Sequence, residues 1–551
     1  ETSTVGDYRR DLVAQLYIQM LNGRLGVISQ KPDAPFIGAG AGKGGFVGRE
    51  LQPFSLSAGV KDGGDERGLE ALLLEARRAD EFGFLQSELD RARANTLRAY
   101  ERMNAERERT ESVAYAAEYI RAFLEGETIP GIAYEYALVQ RLLPTVTLAE
   151  INALASEWIT DDNRVVIVQA PEKDSVPVPT VSEVLAVFDR ATAAAVTAYS
   201  ENVAAGELLA DAPAPGRIVE GRALPAGVVE WRLSNGARVL VKPTDFKADE
   251  ILLTAYSPGG TSLVRDQDFM STALAPQIVG LSGLGAFNRI DLGKTLAGKA
   301  ARVSPAIGEM SEGLSGSASP KDLETLLQLA HLHFTGARLD STAFAAFAQN
   351  VAPYLANRGA SPDEVFNDTV QVTMGRHHVR SRPISPETFA EVDAARAISI
   401  FRDRFADAGD FTFVFVGNVD TVAFKPLVER YLASLPSLPR VDSARAVTPP
   451  PPRGVIERIV RRGVESKART IIAYSGSCEY SPENRVAIRG LIDAFELRLV
   501  ETLREKLGGT YSPNVGGGCG RVPREEFGVQ VQFESAPENV EALTAAVLAL
   551  A

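Results

Sequence analysis

The chain has 551 residues, 45% of them apolar and 23% charged, several times the size of one folding unit, which excludes a single small module. Its 71 Asp and Glu against 58 Lys and Arg leave a net charge of -13, so it has no basic stripe to neutralise phosphates and nucleic acid is excluded as a partner. No apolar run is long enough to span a bilayer, and the opening residues lack the zones of an export signal, so no membrane partner is expected either. Two cysteines, Cys478 and Cys519, are too few for a disulfide framework, and four histidines leave few metal ligands. The chain opens at Glu1 in mid-pattern without an initiating Met, from which a further N-terminal portion is expected.

Residues 7–25 place Leu12, Leu16, Met20 and Leu21 on one side at helical spacing. Strand-like runs follow at 34–41 and 54–60, and helical periodicity runs from Gly64 to Glu125, where mixed Glu and Arg write a solvated face. Thr147 with Glu150 is a capping box that opens another helix, and Arg164 to Gln169 (RVVIVQ) reads as a buried strand. Residues 1–171 therefore read as an α+β domain. The interval 172–228 is rich in Pro and Ala, has one helical piece behind the Thr180/Glu183 capping box, and reads as a linker.

A third domain, 229–440, opens with WRLSNGARVLV, where Asn235-Gly236 between alternating apolar runs is a strong hairpin signal. It continues through the strand ILLTAYS and helices around Met270 to Val279 and Leu323 to Phe334, and closes on the strand at Phe411 to Asp420. A second, Pro-rich linker occupies 441–454. The last domain, 455–551, has the strand TIIAYSG, a helix from Pro482 to Lys506, strands near Thr510 and Phe527 to Phe533, and a closing helix. The first and last domains share one order, a long helix ending in LNGRLG or TLREKLGG, then two strands, then a second helix. Because the first copy runs on for about ninety residues past the point matching Ala551, the last is expected to be truncated.

Three motifs invite chemistry. Gly40 to Gly45 (GAGKGG) matches GxGxxG, but the residues that follow look extended and Gly44 stands where a phosphate loop needs a hydroxyl, so a Gly-rich edge is the better account. His331 and His333 are two apart on a helix and His377-His378 are adjacent in a loop, spacings that do not suit zinc. Arg504 and Tyr511, seven apart in LREKLGGTYS, could be a helix-end cation and an ordinary strand tyrosine.

That pair reads differently beside SNGARVLV at Ser234 to Val241, FVFVGNVD at Phe413 to Asp420 and GFLQSELDRAR at Gly83 to Arg93. Together these stretches resemble the pitrilysin/insulinase family of inverted-motif (HxxEH) zinc metallopeptidases, of the two-half bacterial type. The resemblance implies an α+β fold of repeated helix-on-antiparallel-sheet domains, like those of mitochondrial processing peptidase, and covers domains two to four. It also implies that Arg504 binds the substrate peptide and Tyr511 stabilises the oxyanion, both lining the inner cavity. The family's HxxEH belongs to a domain ahead of these, with residues 1–171 as the second domain of the N-terminal half, and has no match here. Leu274 to Val279 (LAPQIV), which hold no His or Glu, would mark the third domain as the inactive copy, with Leu274, Gln277 and Ile278 near the position of the absent ligands. Zinc is thus implied for the complete protein and for none of this chain's own residues. Its partners would be a peptide substrate and the missing metal-binding domain. The implied activity is substrate handling in a closed-chamber endopeptidase, the alternative a non-catalytic scaffold or partner subunit. A periplasmic or otherwise exported location is expected by analogy, cytoplasmic being the alternative.

Overall fold

The computed structural model describes residues 4–45, 51–170, 176–201, 206–510 and 512–551. The N-terminal unit is α1 (Val5–Ser29), β1 (Gly38–Lys43), β2 (Phe54–Gly59), α2 (Asp65–Phe82), α3 (Gln86–Ala105), α4 (Ser112–Glu125), α5 (Ile132–Leu142) and α6 (Leu148–Trp158). α1 starts where it does because Thr4 and Asp7 cap it reciprocally, and it buries Leu12, Leu16, Tyr17, Leu21 and Leu25 against α2, α3 and α6. GAGKGG lies in and just after β1, paired antiparallel with β2, as a Gly-rich strand rather than a phosphate loop.

Arg164–Gln169 departs from expectation. It is neither paired nor buried: Val165 is 77% and Ile167 70% exposed. A strand needs a neighbour to bond, and among the described residues β2 pairs only with β1 and none stands beside this run.

The interval read as linker carries more structure than expected. α7 (Val181–Ala193) starts at the Thr180/Glu183 capping box and packs Val187 and Ala191 on α2. β3 (Ile218–Leu224) is the outer strand of the next sheet, so that sheet begins inside 172–228. The Glu220-Gly221-Arg222 run across its centre hid it, since an edge strand pairs by backbone and needs no continuous apolar run.

The third unit continues with β4 (Val228–Leu233), β5 (Arg238–Pro243), β6 (Ile251–Pro258), α8 (Phe269–Ser282), α9 (Arg289–Thr295), β7 (Ala301–Ile307), β8 (Ser311–Ala318), α10 (Leu323–Thr335), α11 (Ser341–Asn357), α12 (Pro362–Met374), α13 (Pro386–Phe389), α14 (Ala394–Arg404), β9 (Thr412–Gly417) and α15 (Thr421–Tyr431). The sheet order is β3-β4-β5-β9-β6-β8-β7. The Asn-Gly hairpin forms as expected, with Gly236 at φ 92° where a Cβ would be strained. Every pairing is antiparallel except that of β5 with β9, which lies between β5 and β6 and is antiparallel to β6. Phe413 and Phe415 of β9 are fully buried, with Phe334, Phe401, Phe405 and Phe411 close by.

The C-terminal unit has β10 (Ala468–Ser477), α16 (Pro482–Leu499), β11 (Asn514–Gly520), β12 (Glu526–Ser535) and α17 (Val540–Leu550), with sheet order β10-β12-β11. Its core is small: Ile492, Leu499, Leu503, Val515, Val531, Phe533, Leu543 and Val547. Cys478 and Cys519 form one disulfide, a single staple and not a framework.

Candidate functional site

Arg504 sits where α16 changes its winding. From Val500 to Lys506 the helix is of π type, with the Leu507 N–H bonding the Thr502 carbonyl and the Gly509 N–H bonding that of Leu503. Such insertions are rare in helix interiors and turn a side chain away from its regular face. Leu499 and Leu503 stay inward and fully buried, while Arg504 lies on the exposed side. Gly508 ends the turn at φ 57°, and a Cβ on Gly509 would sit 2.8 Å from the Leu543 side chain. The two glycines therefore serve a left-handed stop and a close approach to α17.

Tyr511, the proposed oxyanion donor, lies outside the described residues. The chain re-enters at Ser512, the Pro513 side chain is buried, and β11 follows as an edge strand with four glycines in its sequence NVGGGCG. Arg504 is not among the residues lining the cleft of about 1560 Å³ beside β10. The disulfide joins the residue after β10 to the far end of β11, enclosing α16, Arg504 and position 511 in one covalent loop.

The stretch that would align with a metal site folds as packing. In α8, Ala275, Ile278 and Val279 are buried, Leu274 packs against the same core, and Gln277 points to solvent. Among the described residues no group of three or more His, Cys, Asp or Glu could hold a metal ion. The histidines act structurally. Both His331 and His333 are buried in α10, and the His331 Nδ1 lies 2.9 Å from the Tyr431 carbonyl. Burial lowers the His333 pKa to about 4, only partly offset by the Val303 carbonyl, so this ring stays neutral.

Sequence reasoning missed two charged clusters. Arg24 in α1 is 1% exposed; its guanidinium grips Glu88 through two bonds of 2.8 and 2.7 Å and lies between the rings of Phe84 and Tyr199. Glu88, Gly83 and Phe84 all belong to GFLQSELDRAR, so that stretch builds an internal clamp on α1. The second cluster centres on Glu312 at the start of β8, almost fully buried, with Oε2 accepting from the Gly260 N–H and Arg404 3.8 Å away. Burial raises its pKa to about 7 despite those partners. A lone Glu in a strand gives no signal of this, because its burial comes from the turn at Gly259-Gly260 and from residues far along the chain.

The chain is built of repeated α+β units, without a metal centre among its described residues. Residues 396–550 match the Peptidase M16 inactive domain family. The particular relatives are PqqL-type zinc proteases. An Arabidopsis thaliana protein named "Zinc protease PQQL-like" is 27% identical over 442 residues, covering 80% of this chain and 41% of its own length. The probable zinc protease PqqL of Escherichia coli is 24% identical, covering 90% of this chain and 54% of that protein. The PqqL of Haemophilus influenzae is 20% identical, covering 99% and 58%. The chain thus spans about half the length of the curated relatives it matches. Among solved structures, the periplasmic protease PqqL of Escherichia coli aligns over 99% of this chain and 60% of its own, at TM-score 0.56 and 20% identity. The ferredoxin protease FusC, solved with Arabidopsis ferredoxin, aligns over the same shares at TM-score 0.63 and 18% identity. The resemblance to pitrilysin/insulinase-type zinc metallopeptidases holds in sequence and in fold.

Proposed function

We propose that this chain is the substrate-handling portion of a zinc metalloendopeptidase that hydrolyses peptides or unfolded segments in a closed chamber, the zinc and its general base residing in a domain outside these residues. The observation that carries the reading is the RxxxxxxY spacing, with Arg504 turned outward by the π-type turn ahead of a Gly-rich edge strand. Attack of zinc-activated water on a peptide carbonyl develops an oxyanion, which a phenol donor at position 511 would stabilise. The Arg504 fork would hold a peptide carbonyl or carboxylate in the ground state as well. Placing donors on one half and the metal on the other makes turnover depend on closure. An exported location agrees with the Cys478–Cys519 disulfide, since such bonds persist in oxidising compartments.

The test uses the complete protein and a quenched peptide substrate. Tyr511→Phe is expected to lower kcat by roughly 100- to 1000-fold with KM little changed, as befits a donor acting in the transition state. Arg504→Ala is expected to raise KM and lower kcat together. Full turnover in both variants would overturn the roles given to Arg504 and Tyr511, and no hydrolysis by the complete protein itself would leave a scaffold subunit. The chain 1–551 alone is expected to hydrolyse nothing.

A further inference from the structure

Between the third and fourth units the chain crosses residues 441–454, which form no helix or strand and are nonetheless tied down. The Asp442 N–H donates to Asp410 Oδ2 at 3.0 Å, just ahead of β9. The Arg445 N–H donates to the Ser262 hydroxyl, and its Nε to the Ser262 carbonyl at 3.1 Å, on the turn after β6. The Thr448 hydroxyl donates to Glu309 Oε1 at 2.6 Å, in the turn from β7 to β8. The Thr448 carbonyl in turn accepts from Arg524 Nη1 of the fourth unit at 3.0 Å, so a strap fixed to one unit also holds the other.

A further tie is shared. Arg404, the last residue of α14, gives Nη2 to Asp403 at 3.0 Å and Nη1 to Asp442 Oδ2 at 2.8 Å. The same Nη1 lies 3.8 Å from Glu312 Oε1, an atom buried without a hydrogen-bond partner. One donor thus faces two carboxyl groups and bonds the one on the strap. A Cβ on Gly259 would stand 2.9 Å from Glu312 Oε2 and 3.0 Å from Arg404 Nη1, so a side chain there would crowd both groups.

Few charges face Glu312. From α14 comes Arg404, with Asp403 behind it; from the strap come Asp442 and Arg440, the latter paired with Asp403 at 3.0 Å. The turn at Gly260 supplies one backbone N–H, and the residues opposite in the sheet, Ser257 of β6 and Ile307 of β7, carry no charge. Burial favours the neutral carboxyl, which leaves Arg404 to Asp442. Once Oε1 is ionised, Nη1 is the donor at hand, and turning it inward takes it from Asp442.

We infer that Glu312 governs this strap: while its carboxyl is protonated Arg404 holds Asp442 in place, and when the proton leaves for solvent Arg404 turns to Glu312 and residues 442–448 loosen from the third unit. The Glu312 pKa of about 7 sets the direction, docked below neutrality and loosened above it. The inference goes beyond the peptidase reading and uses none of its residues, so either can fail without the other.

Hydrogen exchange of the chain 1–551 at pH 6 and pH 8.5, corrected for the intrinsic rate at each pH, tests it on the peptide spanning 440–448. In the parent, protection of the Asp442 and Arg445 amides is expected to fall at least ~10-fold from the lower to the higher pH. Glu312→Gln, whose neutral amide does not compete for Arg404, should keep protection high at both. Asp442→Ala should leave the Arg445 amide poorly protected at both, with β6 and β8 unchanged in all three proteins. Parent protection that does not vary with pH would overturn the inference. A fall in Glu312→Gln equal to the parent's would overturn it by placing the titration on another group. Protection in Asp442→Ala that matches the parent at pH 6 would overturn it by showing that Arg404 does not hold the strap.

Discussion

Glu312 shows how far one side chain can depart from what its letter suggests. A carboxyl group with almost no solvent contact is held by one backbone N–H, and the nearest cation, Arg404, is drawn toward Asp442 at 2.8 Å instead. Arg440 and Asp442 are the other charges that act on it. Because its folded pKa is raised to about 7, the protonated form is the stable one, and this contribution is full below the ordinary carboxylate range and lost as pH rises through about 7. Glu312→Gln should therefore raise stability at pH 8 by roughly 2–3 kcal/mol and change it little at pH 4. Thermal melts across that range check this; a variant no more stable than the parent at pH 8 would mean that Arg404 already neutralises the charge. At the same scale, the RxxxxxxY pair was legible as a spacing, whereas the outward turn of Arg504 was not, since a π-type insertion leaves no mark in apolar periodicity.

At the scale of elements, legibility followed where the hydrogen bonds go. Helices with local signals, such as the Thr147/Glu150 and Thr180/Glu183 capping boxes, begin where the letters place them. The Asn235-Gly236 hairpin does too. RVVIVQ failed because a strand's fate depends on a neighbour, and apolar composition names none. β3 was missed although it has a willing neighbour, because Glu220-Gly221-Arg222 interrupt its apolar letters. β11 is weak by composition, with Val515 its one well-buried hydrophobic side chain, and the disulfide holds its far end. Converting both Cys478 and Cys519 to Ser, which opens a loop of 41 residues, should cost roughly 2–4 kcal/mol. Exchange of the β11 amides should speed up before that of β12, which has partners on both sides. Urea titration with and without a reducing agent gives the first number, and unchanged stability on reduction would show that the backbone ladder alone secures the edge.

Across the whole molecule, the first and third units meet through charge. The Arg109 Nε donates to the Asp245 carbonyl at 2.7 Å, Glu106 accepts from the Asp249 N–H at 2.7 Å, Arg98 pairs with Asp249, and Asn95 accepts from the Gly298 N–H at 2.8 Å. Glu201, between α7 and β3, closes the arrangement: it takes Ser87 and Arg91 from α3 and Lys294 from α9, the last at 2.6 Å, with its own side chain 6% exposed. Burial alone would raise its pKa, but the bonds from Lys294, Ser87 and Arg91 outweigh that and hold it at about 2. Its contribution is therefore present above the ordinary carboxylate range and lost as pH falls toward about 2. Glu201→Gln would leave Arg91 and Lys294 facing each other without the anion between them, at a cost of about 3 kcal/mol. That cost falls on the junction, because the apolar cores of the two units are separate clusters that do not include it. The parent is thus expected to unfold these units in one transition at neutral pH and the variant in two. Calorimetry at pH 7 decides the matter, and a single unshifted transition in Glu201→Gln would mean that the remaining α3 contacts suffice to couple the units.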